Sequence, residues 1–167
     1  MKILLAIDDS KFSEAATQMV AKQFRPDGTD VCVFHAVDSI GALPMSFCFG
    51  EGPRYEKDID SWRDKLLREG EHLAARAAEQ IRAAGFTVGT KIADGDPRHT
   101  ILDYAREWQP DVIVMGSHGR GNLDRFLLGS VAETIARHTG CSVEIVRVPS
   151  PAAGRNVAKR EETEERR

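Results

Sequence analysis

The chain lacks a lysine-bearing phosphate loop. GxxxxGK[ST] occurs nowhere, and the turn after the first apolar run has no GxGxxG. Those absences exclude the Walker-type and dinucleotide fingerprints as explanations of its glycines, and the missing GxSxG excludes a nucleophile elbow. Long apolar runs are also missing, since none approaches the ~20 residues that cross a bilayer. The opening MKILLAIDDS has a short apolar stretch followed by two carboxylates, too little for a signal-peptide core, so a cytoplasmic protein is expected. Cysteine is scarce: Cys32, Cys48 and Cys141 are odd in number and have no CxxC spacing, which fits reduced thiols. Cys32 alternates within VCVFHAV as a small core residue would. The five histidines, His35, His72, His99, His118 and His138, show no ligand spacing, so a zinc site is not expected. Charge of one sign is lacking too. With 23 Lys and Arg against 26 Asp and Glu, the net charge of -3 gives no reason to expect nucleic acid or an acidic membrane as partner.

What is present is an ordinary globular composition, 41% hydrophobic and 29% charged over 167 residues, enough for one domain with a real core. KILLAI reads as a buried strand. A helix follows from Ser10 or Ser13, with Phe12, Ala15, Ala16, Met19, Val20 and Phe24 on one face, and Arg25-Pro26 and Gly28 end it. DVCVFHAV is a second strand. Residues 38 to about 58 read as a long irregular loop. Trp62, Leu66, Leu73, Ala77 and Ile81 then mark a helix stopped by Gly85, and FTVGTKIA is a third strand. Asp96 caps a further helix with Pro97 in its first position, ended by Gln109-Pro110. DVIVM is the fourth strand, Gly129-Ser130 opens a last helix, and SVEIVRV is the fifth strand. Strands alternating with helices predict an α/β fold with a five-stranded parallel sheet, helices on both faces, and strands 1 and 4 central. Residues 149–167 have mixed charge and no apolar period, so a mobile tail, or alternatively a docking segment, follows a domain of residues 1–148.

In an open parallel sheet, ligands bind beyond the carboxyl ends of the strands, where strand order reverses. Asp8-Asp9-Ser10, His35-Ala36-Val37-Asp38 and the segment MGSHGRGNLDRFLLGS all fall at such ends. Glycines there let backbone N–H groups approach a ligand, and a helix starting at Gly129-Ser130 adds free donors and the positive end of its dipole. These are the parts of a phosphate site. A plain long turn with Ser130 as helix cap accounts for the same residues.

Gly116, Gly119, Gly129 and Ser130 have the spacing glycine, two residues, glycine, nine residues, glycine, serine. With ILLAIDDSKFS at the start and GDPRHTIL before the third helix, the chain resembles the ATP-binding members of the universal stress protein family over residues 2 to 148. The resemblance implies a Rossmann-like open sandwich of the adenine nucleotide alpha hydrolase type. It further implies ATP with Mg²⁺ as ligand and a cytoplasmic homodimer formed through residues 142–148. Asp8 matches the family's acidic residue near ribose and metal. Ala36 matches the position whose backbone reads adenine. Gly116, Gly119, Gly129 and Ser130 match phosphate and ribose contacts, with Ile7, Asp9, Ser10, Met115, Ser117, His118, Arg120 and Val131 alongside them. Two departures stand out: Asp9 replaces a common glycine, and Ser142 and Glu144 replace proline and an apolar residue in the last strand.

Several of these residues have simpler readings. Asp8 also suits a turn or cap. His118, exposed by its glycine neighbours, touches phosphate or is a bystander. Arg120 and Arg125 meet the terminal phosphate or belong to a solvated loop. His35 reads as a hydrogen-bonded strand histidine. With no certain base and no Walker lysine, a regulatory protein of slow or absent turnover is expected. A slow ATPase or nucleotide-dependent transferase, and a non-binding interaction module, are the alternatives.

Overall fold

The computed structural model describes residues 1–43, 53–119 and 128–148, with side chains in the second helix described from residue 57 onward. Cys48, Arg120, Arg125 and the tail from residue 149 therefore lie outside the described residues, as do residues 44–52 of the loop that follows the second strand.

The first strand, β1 (Lys2–Ile7), lies at the centre of the sheet. It pairs in parallel with β2 (Asp30–Val37) on one side and β4 (Val112–Gly116) on the other. The edges are β3 (Thr87–Asp94) beside β2 and β5 (Ser142–Val146) beside β4, giving the order β3-β2-β1-β4-β5, all parallel. The unbroken apolar run of β1 follows from burial on both faces. Ile3, Leu5 and Ile7 join Val31, Val33 and Val114 under helices α1 (Lys11–Gln23) and α2 (Pro53–Ala83). Leu4 and Ala6 join Phe34, Ile113 and Met115 under α3 (Pro97–Trp108) and α4 (Ser130–His138).

Local signals set the helix ends. The Ser10 side chain accepts from Ser13 N as N-cap of α1, and the chain leaves the helix at Phe24, just before Arg25-Pro26. Asp96 caps α3, Pro97 takes its first turn, and Gln109 closes it in the left-handed region at φ 52°. One expectation is corrected. The loop foreseen to about residue 58 is shorter, because α2 already begins at Pro53 and runs 31 residues. Proline suits a first helical position, and the charged stretch after it carries no apolar stripe to read. Mid-helix Gly70 has a packing reason. A Cβ there would lie 2.8 Å from His35 Cδ2, so glycine lets α2 close on β2.

From β1 the chain steps to β2 and β3, then returns to the other side of β1 for β4 and β5. The connections therefore part above the carboxyl ends of β1 and β4. A crevice at such a switch point is the standard ligand position of open α/β sheets.

Candidate functional site

A cleft of about 370 Å³ occupies that switch point. Ile7 and Asp8 line it from the end of β1, His35, Ala36 and Asp38 from the end of β2, and Pro97 and Ile101 from α3. Met115 to Gly119 line it from β4 and the turn after it, and Gly129 to Ala132 from the start of α4. Ala36, Ile101, Met115 and Val131 make part of the wall apolar, and Asp8 with two helix N-termini makes another part polar.

The two helix N-termini differ. That of α1 is taken up by its own side chains. Ser10 Oγ and Ser13 Oγ both donate to Asp8 Oδ1 at 2.6 Å, and Asp8 N donates back to Ser13 Oγ at 2.9 Å. Asp8 Oδ1 thus holds two hydroxyl protons, while Oδ2 faces Gly119, where an added Cβ would sit 2.7 Å from it. The N-terminus of α4 has no such side chain. Gly129 is its N-cap and makes no side-chain cap bond, and Ser130 is the first helical residue, exposed to solvent. Ser130 is therefore not the cap that the plain-turn reading required, and among the described residues no side chain caps the first N–H groups of α4. They carry the positive end of the helix dipole.

The glycines of the spacing motif serve contacts within the protein. A Cβ on Gly116 would lie 2.6 Å from Phe12 Cβ and 2.8 Å from Phe12 C, so this glycine admits α1. A Cβ on Gly129 would lie 3.2 Å from Ser117 O and 3.3 Å from His118 Cα. These positions thus answer to packing within the protein, a demand that neither the ligand reading nor the plain-turn reading of the sequence specified. The start of α4 is tied to the end of β4, for Gly129 N donates to Ser117 O at 2.9 Å and Ser117 N in turn donates to Val146 O at 2.8 Å.

The histidines part company. His35 Nδ1 lies 2.8 Å from Ile7 O, a satisfied strand histidine as expected. His118 is half-buried, not exposed by its neighbours. Its ring packs on Phe12 with centroids 5.2 Å apart, and Nδ1 lies 3.1 Å from Ser117 Oγ. Its Nε2 is buried without a hydrogen-bond partner among the described residues. Asp9 and Ser10 line the adjoining groove between α1 and α2, together with Lys11 and Arg76, and are not part of the cleft wall.

Three carboxylates at or near the ends of β2 and β3 are each held by neighbours. Asp38 Oδ1 accepts from Gly41 N at 2.8 Å. Burial would raise the Asp94 carboxyl, but Ser39 and Arg63 outweigh it and hold it below the ordinary value. Asp96 is lowered to about 2 by the Arg98 side chain it binds. Burial pushes the Cys32 thiol up, in keeping with its place in the core. Among the described residues, no group of three or more His, Cys, Asp or Glu is placed to hold a metal. Sequence reading offered Ser13 only as an alternative helix start and did not name Pro97, Ile101 or Ala132 as site residues. The only local signal of Ser13 was its place three residues after Ser10, which reads as ordinary helix.

The fold and cleft define a Rossmann-like α/β protein with its ligand crevice at the switch point of a parallel sheet. The universal stress protein family model matches residues 1–147, and the chain belongs to that family. It is 31% identical to the universal stress protein YxiE of Bacillus subtilis over 146 residues, 87% of this chain and 98% of that one. The solved structure of MJ0577, a universal stress protein of Methanocaldococcus jannaschii, is 28% identical. It superposes with a TM-score of 0.75, covering 89% of this chain and 97% of that one. A universal stress protein of Archaeoglobus fulgidus in complex with dAMP is 22% identical, with a TM-score of 0.58 over 88% of this chain and 98% of that one, and shares the fold. No helix among the described residues is long and apolar enough to cross a membrane.

Proposed function

We propose that the cleft binds an adenine nucleotide, ATP carried with Mg²⁺, and that the protein is a cytoplasmic regulatory homodimer paired through β5. One observation carries the nucleotide reading: α4 begins at Gly129, which makes no side-chain cap bond among the described residues, and its first turn lines the same cleft as the carboxylate of Asp8. Free N–H groups at a helix start take phosphate, and Ser130, Val131 and Ala132 follow the cap in the cleft wall. The apolar wall with Ala36 and Ile101 suits the base. Family membership and the dAMP complex of the Archaeoglobus relative support the same class of ligand.

Asp8 fits the metal as a single carboxylate. Mg²⁺ is held by one or two carboxylates together with phosphate oxygens and retained water, and needs no all-protein cage. When bound, the ion neutralises part of the phosphate charge. The described cleft wall contains no lysine or arginine to do so. The lack of a positioned cation in that wall also favours slow or absent turnover.

Calorimetric titration of ATP with Mg²⁺ tests the reading. Ser130→Ala removes one hydroxyl from an exposed position, so its melting temperature is expected to match wild type. Its affinity is expected to fall about 10- to 150-fold, the value of a hydrogen bond to a charged group. A wild-type protein that takes up no ATP and carries no nucleotide after purification overturns the proposal. Steady-state hydrolysis at about 1 s⁻¹ or faster overturns the assignment of slow turnover.

A further inference from the structure

Resting on that nucleotide reading, we propose that Ser13 is a positioning residue that makes Asp8 a one-oxygen ligand and thereby selects Mg²⁺ over Ca²⁺ as the cation accompanying the nucleotide. Ser13 lies on the first turn of α1, is only 5% exposed, and bonds Asp8 twice, through Oγ to Oδ1 and from Asp8 N to Oγ. Ser10 gives a second hydroxyl proton to the same Oδ1, and α1 itself is anchored because Ser10 Oγ also accepts from Ser13 N at 3.2 Å. Rotation of the carboxylate would break both short bonds. Oδ2 is left on the open side, toward Gly119, at a position that any side chain on residue 119 would occupy.

A carboxylate with one oxygen committed binds a cation through the other alone. Mg²⁺ keeps several waters and demands near-octahedral geometry at short distance, so a single carboxylate oxygen together with phosphate oxygens suffices. Ca²⁺ takes six to eight oxygens and often a bidentate carboxylate, which the two serine hydroxyls deny it.

The test is calorimetric titration of ATP into the intact protein with Mg²⁺, with Ca²⁺, and with EDTA, alongside circular dichroism and melting curves of the metal-free proteins. Wild type is expected to bind ATP about tenfold or more tighter with Mg²⁺ than with EDTA, and more weakly with Ca²⁺ than with Mg²⁺. In Ser13→Ala the Mg²⁺ advantage is expected to shrink to about twofold and Ca²⁺ to draw level with Mg²⁺, while affinity in EDTA stays at the wild-type value. A purely structural lesion would weaken all three conditions alike and would not favour Ca²⁺. Ser13→Cys fills the site with a slightly larger side chain that is a weaker donor, and decides the matter if Ser13→Ala does not fold. An unchanged Mg²⁺-to-Ca²⁺ ratio in either folded variant overturns the role of Ser13. ATP binding that ignores metal in wild type overturns it as well, and leaves the nucleotide site standing. No ATP binding under any condition overturns both.

Discussion

Gly116 and Gly119 stand three residues apart, yet their missing side chains answer to different neighbours. A methyl group on Gly116 meets the Cβ and backbone of Phe12 at 2.6 and 2.8 Å, and α1 cannot move off without losing its seat on β4. Gly116→Ala is therefore expected to destabilise the protein by about 1–3 kcal/mol, the usual cost of overpacking, read as a lower urea midpoint. A methyl group on Gly119 meets only the far end of the Asp8 side chain. Gly119→Ala should lower the urea midpoint less than Gly116→Ala, because the position is exposed and only the Asp8 hydrogen bonds are disturbed, and should lose Mg²⁺-dependent ATP affinity as Asp8 Oδ2 is displaced. A comparable loss of stability in both variants would show that the two glycines do the same work. Motif spacing made the glycine positions legible in the sequence. Their separate reasons were not, because each reason is a contact with a residue brought close only by folding: Phe12 for one, Asp8 for the other. The burial of His118 was hidden in the same way, since nothing in GSHG announces the ring of Phe12 beneath it.

At the scale of elements, capping chemistry was the most readable feature and apolar stripes the least complete. Asp96-Pro97 announced α3 correctly, whereas the first turns of α2 were taken for loop because their apolar period begins only toward Trp62. The Asp96 cap supports a test in acid. Its carboxyl is lowered to about 2 by the Arg98 side chain, against an ordinary 3.8, so the folded state favours the charged form. The associated stability is complete above the unfolded value, near pH 4. It is lost as pH falls through about 2. The pair is solvent-exposed enough for screening to keep its share small. Asp96→Asn retains an acceptor for Arg98 N and is expected to flatten the change in urea midpoint over that window. Asp96→Ala is expected to cost about 0.5–2 kcal/mol at neutral pH through loss of the cap. A wild-type midpoint that falls between pH 4 and 2 no more steeply than that of Asp96→Asn would remove the pair from the account.

For the whole molecule the open question is what becomes of the two sheet edges. The β3 edge carries exposed Thr87, Thr90 and Lys91 and a glycine at 89, a guarded edge of the kind that discourages pairing. The β5 edge is different. Val143, Ile145 and Val146 pack partly into the two core layers but remain half-buried, as if one side were still uncovered. Antiparallel pairing of β5 with a second copy about a twofold axis would cover them. Glu144 opposes this arrangement: it is half-buried already, and pairing would strip more water from its carboxylate without supplying a cation from the described part of β5. The sequence raised this residue as a departure from its relatives. The structure gives its cost a place, at the middle of the short edge strand. Wild type is expected to sediment at about twice its 18.5 kDa at tens of micromolar. Glu144→Val should lower the dimer dissociation constant about tenfold or more, by trading a desolvated charge for apolar cover. A wild-type monomer at that concentration overturns the β5 dimer. A dimer that Glu144→Val leaves unchanged shows that the copies pair through another surface.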